Sequence, residues 1–145
     1  MDKEIQDRLD WAIQTCSERG LRRTKAMREL LKVLITFQKP HTLADLCKSD
    51  GLCNLCDRAT VFRLLGRLLD KGVVKKLGFQ ERAAYYIFSY PGEHNDYLVC
   101  TDCGKIETLS IKCPVEALEK EVMASSGFSG LYHELEFFGQ CPACV

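Results

Sequence analysis

Two C-x2-C pairs, Cys100/Cys103 and Cys141/Cys144, constrain this chain more than any other feature. Each pair offers two thiolates from one tight turn, and two such turns supply the four ligands of a tetrahedral zinc from distant parts of a sequence. Cys100-Thr-Asp-Cys103-Gly104 follows the apolar run Tyr97-Leu98-Val99, and Cys141-Pro-Ala-Cys144 follows Leu135-Glu-Phe137-Phe138, so both read as knuckles at strand ends. No thioredoxin-like strand and helix surround either pair. The number of cysteines is odd, nine, and the N-terminus carries alternating charges in place of an apolar signal, which favours ligation over a disulfide framework. The spacing predicts structural zinc on Cys100, Cys103, Cys141 and Cys144.

Zero net charge conceals a division. Residues 1 to 82 hold 17 Lys/Arg and 11 Asp/Glu, a balance of +6, whereas residues 83 to 145 hold 3 and 9, a balance of −6. A basic half suits a polyanion and an acidic half with Cys and His suits a cation, so the sequence predicts two domains with different ligands, 1–90 and 91–145. The hydrophobic fraction, 46%, is ordinary for a folded chain, and no apolar run is long enough for a bilayer, which predicts a cytoplasmic protein.

The basic half reads as four helices and a hairpin. Ile5, Leu9, Ala12 and Cys16 recur at helical spacing before Gly20, and Met27, Leu30, Leu31, Leu34 and Ile35 share one face of a helix from Thr24 to Phe37 that Pro40 ends. Thr42 caps a short third helix, Leu43 to Lys48. Cys56 or Asp57 opens a fourth, Arg58 to Lys71, closed by Gly72. Val73 to Leu77 and Ala83 to Phe88 follow as strands around a polar turn with Gly78 and Gln80 to Arg82. Short helix, turn, longer helix and hairpin is the order of a winged helix-turn-helix, whose second helix enters the DNA major groove. Arg58, Thr60, Arg63 and Arg67 lie mostly away from the leucines of that helix, where they reach phosphates or base edges. Phe62 is placed to touch a thymine methyl, and Arg22 with the wing lysines Lys75 and Lys76 extends the basic patch.

The acidic half begins after Pro91-Gly92 as strand, knuckle, strand (Lys105 to Leu109), helix (Val115 to Ala124, opened by Pro114), strand (Leu131 to Phe138) and knuckle, a small α/β unit. Its thin core predicts dependence on zinc and on a second copy, and a homodimer presents two recognition helices to a pseudo-palindromic operator. The fold class is therefore α+β: an N-terminal winged helix-turn-helix domain followed by a small α/β dimerisation domain with a four-cysteine zinc. His94 and Asp96 before the first knuckle, Glu116 on the helix and His133 on the last strand form a candidate second site with mixed N/O ligands, suited to Zn, Fe, Mn or Co. Cys16 and Cys113 read as structural.

Together these residues resemble the ferric uptake regulator (Fur) superfamily of metal-responsive repressors over nearly the whole chain. Gly20-Leu-Arg22-Arg-Thr24…Arg28 resembles the family's opening motif, Ala59-Thr60-Val61-Phe62-Arg63 its recognition-helix signature, His94-Asn-Asp96 through Cys103-Gly-Lys its histidine-rich segment and first knuckle, and His133 through Cys144 its closing motif. The resemblance implies metal-promoted operator binding, structural zinc on the four cysteines, and a metal site on His94, Asp96, Glu116 and His133. It also implies a sensory site between domains, for which His41 and Glu107 fill the first and last roles. Tyr86, Asn95 and Tyr97 stand at three other ligand positions, and Asn and Tyr are poor ligands for divalent cations at neutral pH.

Cys47, Cys53 and Cys56, a C-x5-C-x2-C run near His41, surround the turn before the recognition helix and could bind a soft metal or respond to oxidation. The sequence thus predicts a homodimeric, metal-responsive DNA-binding repressor and no enzyme. A cysteine-redox regulator with only structural zinc is one alternative, and a zinc-dependent enzyme using His94, Asp96, Glu116 and His133 is another.

Overall fold

The structure is a computed structural model that describes residues 2–78, 84–109 and 113–145. The chain divides into two compact units, Met1–Gly92 and Glu93–Val145.

In the first unit, α1 (Lys3–Glu18) begins where the Asp2 carboxylate accepts the Glu4 amide at 3.2 Å, and it buries Leu9, Ala12, Ile13 and Cys16. The α2 helix (Lys25–Thr36) starts on Thr24, whose hydroxyl accepts the Met27 amide, and turns Met27, Leu30, Leu31, Leu34 and Ile35 inward. It stops at Phe37, ahead of Pro40. A reciprocal capping box between Thr42 and Asp45 opens α3 (Leu43–Cys47). Asp57, rather than Cys56, caps α4 (Arg58–Asp70) by accepting the Thr60 amide at 2.8 Å, and Val61, Leu64, Leu65 and Leu68 face the core.

Gly72, at φ +78°, reverses the chain out of α4 in the left-handed region that a side chain rarely adopts. Then β1 (Val74–Leu77) pairs antiparallel with β2 (Tyr85–Phe88), Val74 opposite Phe88, and a single bridge from His41 to Tyr86 extends the hairpin on its other side. The winged helix-turn-helix is thus present, while the expected turn residues Gln80 to Arg82 and Ala83 lie outside the described residues. Trp11 meets Phe88 and Tyr90 edge-on at 6.0 and 5.2 Å, joining α1 to the hairpin.

In the second unit β3 (Asp96–Cys100) runs between β4 (Ile106–Leu109), antiparallel to it, and β5 (Glu136–Gly139), parallel to it. A parallel neighbour needs a crossover, and α5 (Glu116–Ser126) lies within that connection. The helix starts one residue later than its sequence suggests, with Val115 rather than Pro114 at the flanking position, and ends on left-handed Gly127. The last strand is shorter than Leu131 to Phe138. β3 begins only at Asp96, so the segment before Glu136 has no longer partner to pair with, and Asp96 satisfies the Leu135 amide through its side chain instead. Among the described residues of this unit only Asp96, Tyr97, Val99 and Cys100 are buried.

Because Leu65 is fully buried and Phe62 on the same helix is 57% exposed, the two positions should respond oppositely to truncation. Leu65→Ala should lower stability by about 2–5 kcal/mol, and Phe62→Ala by no more than about 0.5 kcal/mol, in urea unfolding followed by Trp11 fluorescence.

Candidate metal centres and recognition helix

Parallel pairing sets the carboxyl ends of β3 and β5 side by side, Cys100 opposite Gly139, and thereby brings the two knuckles together. The Thr101 amide donates to the Gly139 carbonyl at 2.8 Å and Gln140 donates to Asp102 at 2.7 Å across the same junction. All four Sγ atoms of Cys100, Cys103, Cys141 and Cys144 lie within 4.8 Å of one another, as the C-x2-C spacing predicts. The Cys103 and Cys141 sulfurs are 3.8 Å apart. That is too long for a disulfide of about 2.05 Å. It matches the roughly 3.8 Å edge of a tetrahedron with Zn–S bonds of about 2.3 Å.

Backbone amides prepare the set for a cation. Cys100 Sγ accepts from the Cys103 and Cys141 amides at 3.5 and 3.3 Å, and these bonds draw its thiol down to about 6. Cys144, contacted by the side chains of Cys141 and Cys100 and next to the Cys100 charge, is pushed up to about 12. Four thiolates this close repel one another unless a divalent ion sits among them, and the donor set fits structural zinc.

A second cluster forms at the other end of β3. The buried Asp96 Oδ1 pairs with His94 Nε2 at 2.7 Å and also accepts the Leu135 amide at 3.3 Å. His133 lies in the irregular run before β5 rather than on the strand, and its ring is 4.4 Å from that of His94. Its Nδ1 contacts the Glu119 carboxylate of α5, and its Nε2 lies 2.9 Å from Cys113 Sγ. One donor atom each from His94, Cys113 and His133 lies within 4.8 Å of the other two.

Of the four residues expected here, three are brought together. Glu116 is not: it stands exposed in the first turn of α5, and Glu119, three residues on, meets His133. Two acids three residues apart on one short helix are neighbours on its surface, so the sequence alone could not choose between them. Cys113, read from the sequence as structural, is instead in contact with an imidazole. The signal was its position three residues before the acidic helix.

Within its own unit, each remaining candidate has other surroundings. His41 is buried, with Nε2 on the Phe37 carbonyl at 2.9 Å. Tyr86 is a core residue, Tyr97 is buried with its phenol pushed up by desolvation, and Glu107 pairs with Lys105 at 2.9 Å. Cys47 and Cys56 pack against the core of the first unit, and Cys53 is exposed with Sγ on the Asp50 carbonyl. Burial, the Asp57 charge and Cys47 push the Cys56 thiol up, which disfavours the reactive thiolate. Among the described residues, Cys47, Cys53, Cys56 and His41 form no three-ligand group.

On α4, Arg58, Phe62, Arg63 and Arg67 are exposed on the side opposite the leucines, and Arg22 is exposed before α2. Arg63 donates to the hydroxyl of the half-buried Thr60 at 3.4 Å. The outward side of the helix is thus a basic face with one protruding aromatic. No described helix is long and apolar enough to cross a membrane.

Removing one ligand should expose how far the second unit depends on the four thiolates. Cys144→Ser should reduce the zinc retained per chain after mild chelation, read by elemental mass spectrometry, and raise amide exchange in β3 and β5.

A winged helix before a four-cysteine α/β unit has close counterparts among known proteins. Residues 18–138 match the model of the "Ferric uptake regulator family". The Ferric uptake regulation protein of Escherichia coli strain K12 is 30% identical over 122 residues, 77% of each chain, and that of Legionella pneumophila is 29% identical over 90% of this chain and 96% of its own. The crystal structure of the Vibrio cholerae ferric uptake regulator superposes with a TM-score of 0.70 at 29% identity, covering 88% of this chain and 98% of that one. The matched residues span the recognition helix, the histidine segment and the first knuckle, and this chain belongs to the ferric uptake regulator family of metal-responsive, DNA-binding transcription regulators, which are not enzymes.

Proposed function

We propose that this chain is a cytoplasmic, homodimeric repressor that binds a pseudo-palindromic operator when a divalent metal occupies its C-terminal unit, with zinc on the four cysteines as a structural element. The observation that carries the reading is the outward face of α4, where Arg58, Arg63 and Arg67 surround Phe62 on a helix whose other side is locked into a leucine core. A guanidinium held this way can bond guanine edges bidentately, and a rigid helix places several side chains on successive bases.

Exposed apolar surface on the second unit supports the dimer. None of α5 is buried, Leu118 and Val122 stand 54% and 42% exposed on it, and Phe137 and Phe138 are exposed on β5. Patches of this kind mark interfaces, and a second copy is the partner that also doubles the recognition helix. The metal requirement rests on the donor clusters at either end of β3. The cysteine-redox alternative has less support, since burial, the Asp57 charge and Cys47 push the Cys56 thiol up, against thiolate formation.

Selection from a random duplex library should yield a palindromic site whose affinity falls steeply with salt. Arg63→Ala should weaken that site by about 5- to 150-fold, the equivalent of ~1–3 kcal/mol, in a gel-shift titration. Absence of any sequence preference with metal present would overturn the reading. Sedimentation should show a dimer, and Leu118→Asp with Val122→Asp should convert it to monomer.

A further inference from the structure

The cluster at the start of β3 has a donor chemistry of its own. Each of its two imidazoles is held by a carboxylate: Asp96 on Nε2 of His94, and Glu119 on Nδ1 of His133. This is the pattern by which a carboxylate fixes the tautomer and orientation of a metal-binding histidine and makes its other nitrogen a better donor. With those nitrogens engaged, His133 Nε2 is directed at Cys113 Sγ, and a ring nitrogen of His94 lies within 4.8 Å of the donors of Cys113 and His133.

Asp96 is ill placed to be a ligand through Oδ1, because that oxygen already serves both His94 and the Leu135 amide in a buried setting. Glu116 is exposed on α5 and is not among the donors that converge. The three donors that converge are therefore two nitrogens and a sulfur. Zinc bonds of about 2.3 Å to sulfur and 2.0–2.1 Å to nitrogen would place Sγ of Cys113 and Nε2 of His133 about 3.5 Å apart. They stand at 2.9 Å, so a shift of roughly half an ångström admits the ion.

We propose that His94, Cys113 and His133 form a thiolate-containing regulatory site selective for a zinc-class divalent ion over iron(II) and manganese(II), with Asp96 and Glu119 as positioning carboxylates. The regulatory part of this proposal rests on the metal-dependent operator binding proposed above. Sulfur is the deciding donor. Thiolate favours zinc and its tetrahedral surrogate cobalt(II), whereas manganese(II) and magnesium favour oxygen-rich sets. On binding, the Cys113 thiol loses its proton to solvent and the sulfur lone pair forms the bond to the ion. Three protein ligands leave a fourth position for water, unlike the saturated four-cysteine site.

The test uses the full chain with its four-cysteine zinc retained, titrated with cobalt(II) after mild chelation. Free zinc is monitored to show that cobalt has not displaced it. One equivalent should bring a thiolate-to-cobalt charge-transfer absorption in the near ultraviolet. Cys113→Ser should abolish that band and weaken zinc binding at the second site at least 10-fold, while the retained zinc and the circular dichroism report an intact fold. Cys113→Asp should restore binding but shift the preference toward manganese(II), and Glu119→Gln should keep the band while weakening affinity about 10- to 100-fold.

A Cys113→Ser protein with unchanged zinc affinity, or a wild-type site that holds manganese(II) as tightly as zinc, overturns the assignment. If that variant also keeps metal-dependent operator binding, the assignment alone fails and the function proposed above stands. If wild type shows the cobalt band but binds its operator without the second metal, the regulatory role fails instead.

Discussion

The parallel pairing of β3 with β5 is the contact on which the second unit depends. Four residues of β3 lie against four of β5, and everything chemically active in the unit sits at one end or the other of that pairing. At the carboxyl end the two knuckles meet with their sulfurs at tetrahedral spacing. At the amino end Asp96 anchors the histidine cluster. A strand of five residues at about 3.3 Å per residue sets these clusters only about 13 Å apart between its first and last residues. Neither cluster exists if the strands slip by one residue, because every side chain would then change face.

The two units reach stability by different means. The first fills its interior with Leu9, Met27, Leu30, Leu31, Leu65 and Phe88, enough apolar surface to hold three main helices against a hairpin. The second has four buried residues among those described, and its helix buries none. A unit so small relies on crosslinking and association, and a metal joining residues 38 apart in sequence restricts the unfolded chain much as a disulfide would. The distribution of charge follows the same division, with the basic residues on the unit that presents α4 and the acidic ones on the unit that gathers metal donors.

Much of this was legible in the sequence because the deciding signals were local. Thr42 is a cap that a helix beginning there requires, Gly72 is the residue a left-handed exit demands, and two C-x2-C turns carry their geometry in their spacing. What was misread depended on partners distant in sequence. The length of β5 is set by where β3 begins, so Leu131 to Leu135 looked like strand by composition, but the paired register starts only at Glu136 opposite Tyr97. Glu119 rather than Glu116 meets His133 because of where α5 rests, which helical periodicity does not determine on a helix with no buried face. Cys113 looked inert because a lone cysteine is usually a small apolar filler, and only the fold showed that an imidazole lies beside it.

The buried Oδ1 of Asp96 has both of its partners already in place, an imidazole N–H on one side and the main-chain amide of Leu135 on the other. A single oxygen shared in this way acts as a junction between side-chain chemistry and backbone. Whatever strengthens its bond to His94 draws electron density from its bond to Leu135, and whatever weakens the first frees it for the second. The main chain leading into β5 thus stands one hydrogen bond from the oxygen that holds His94.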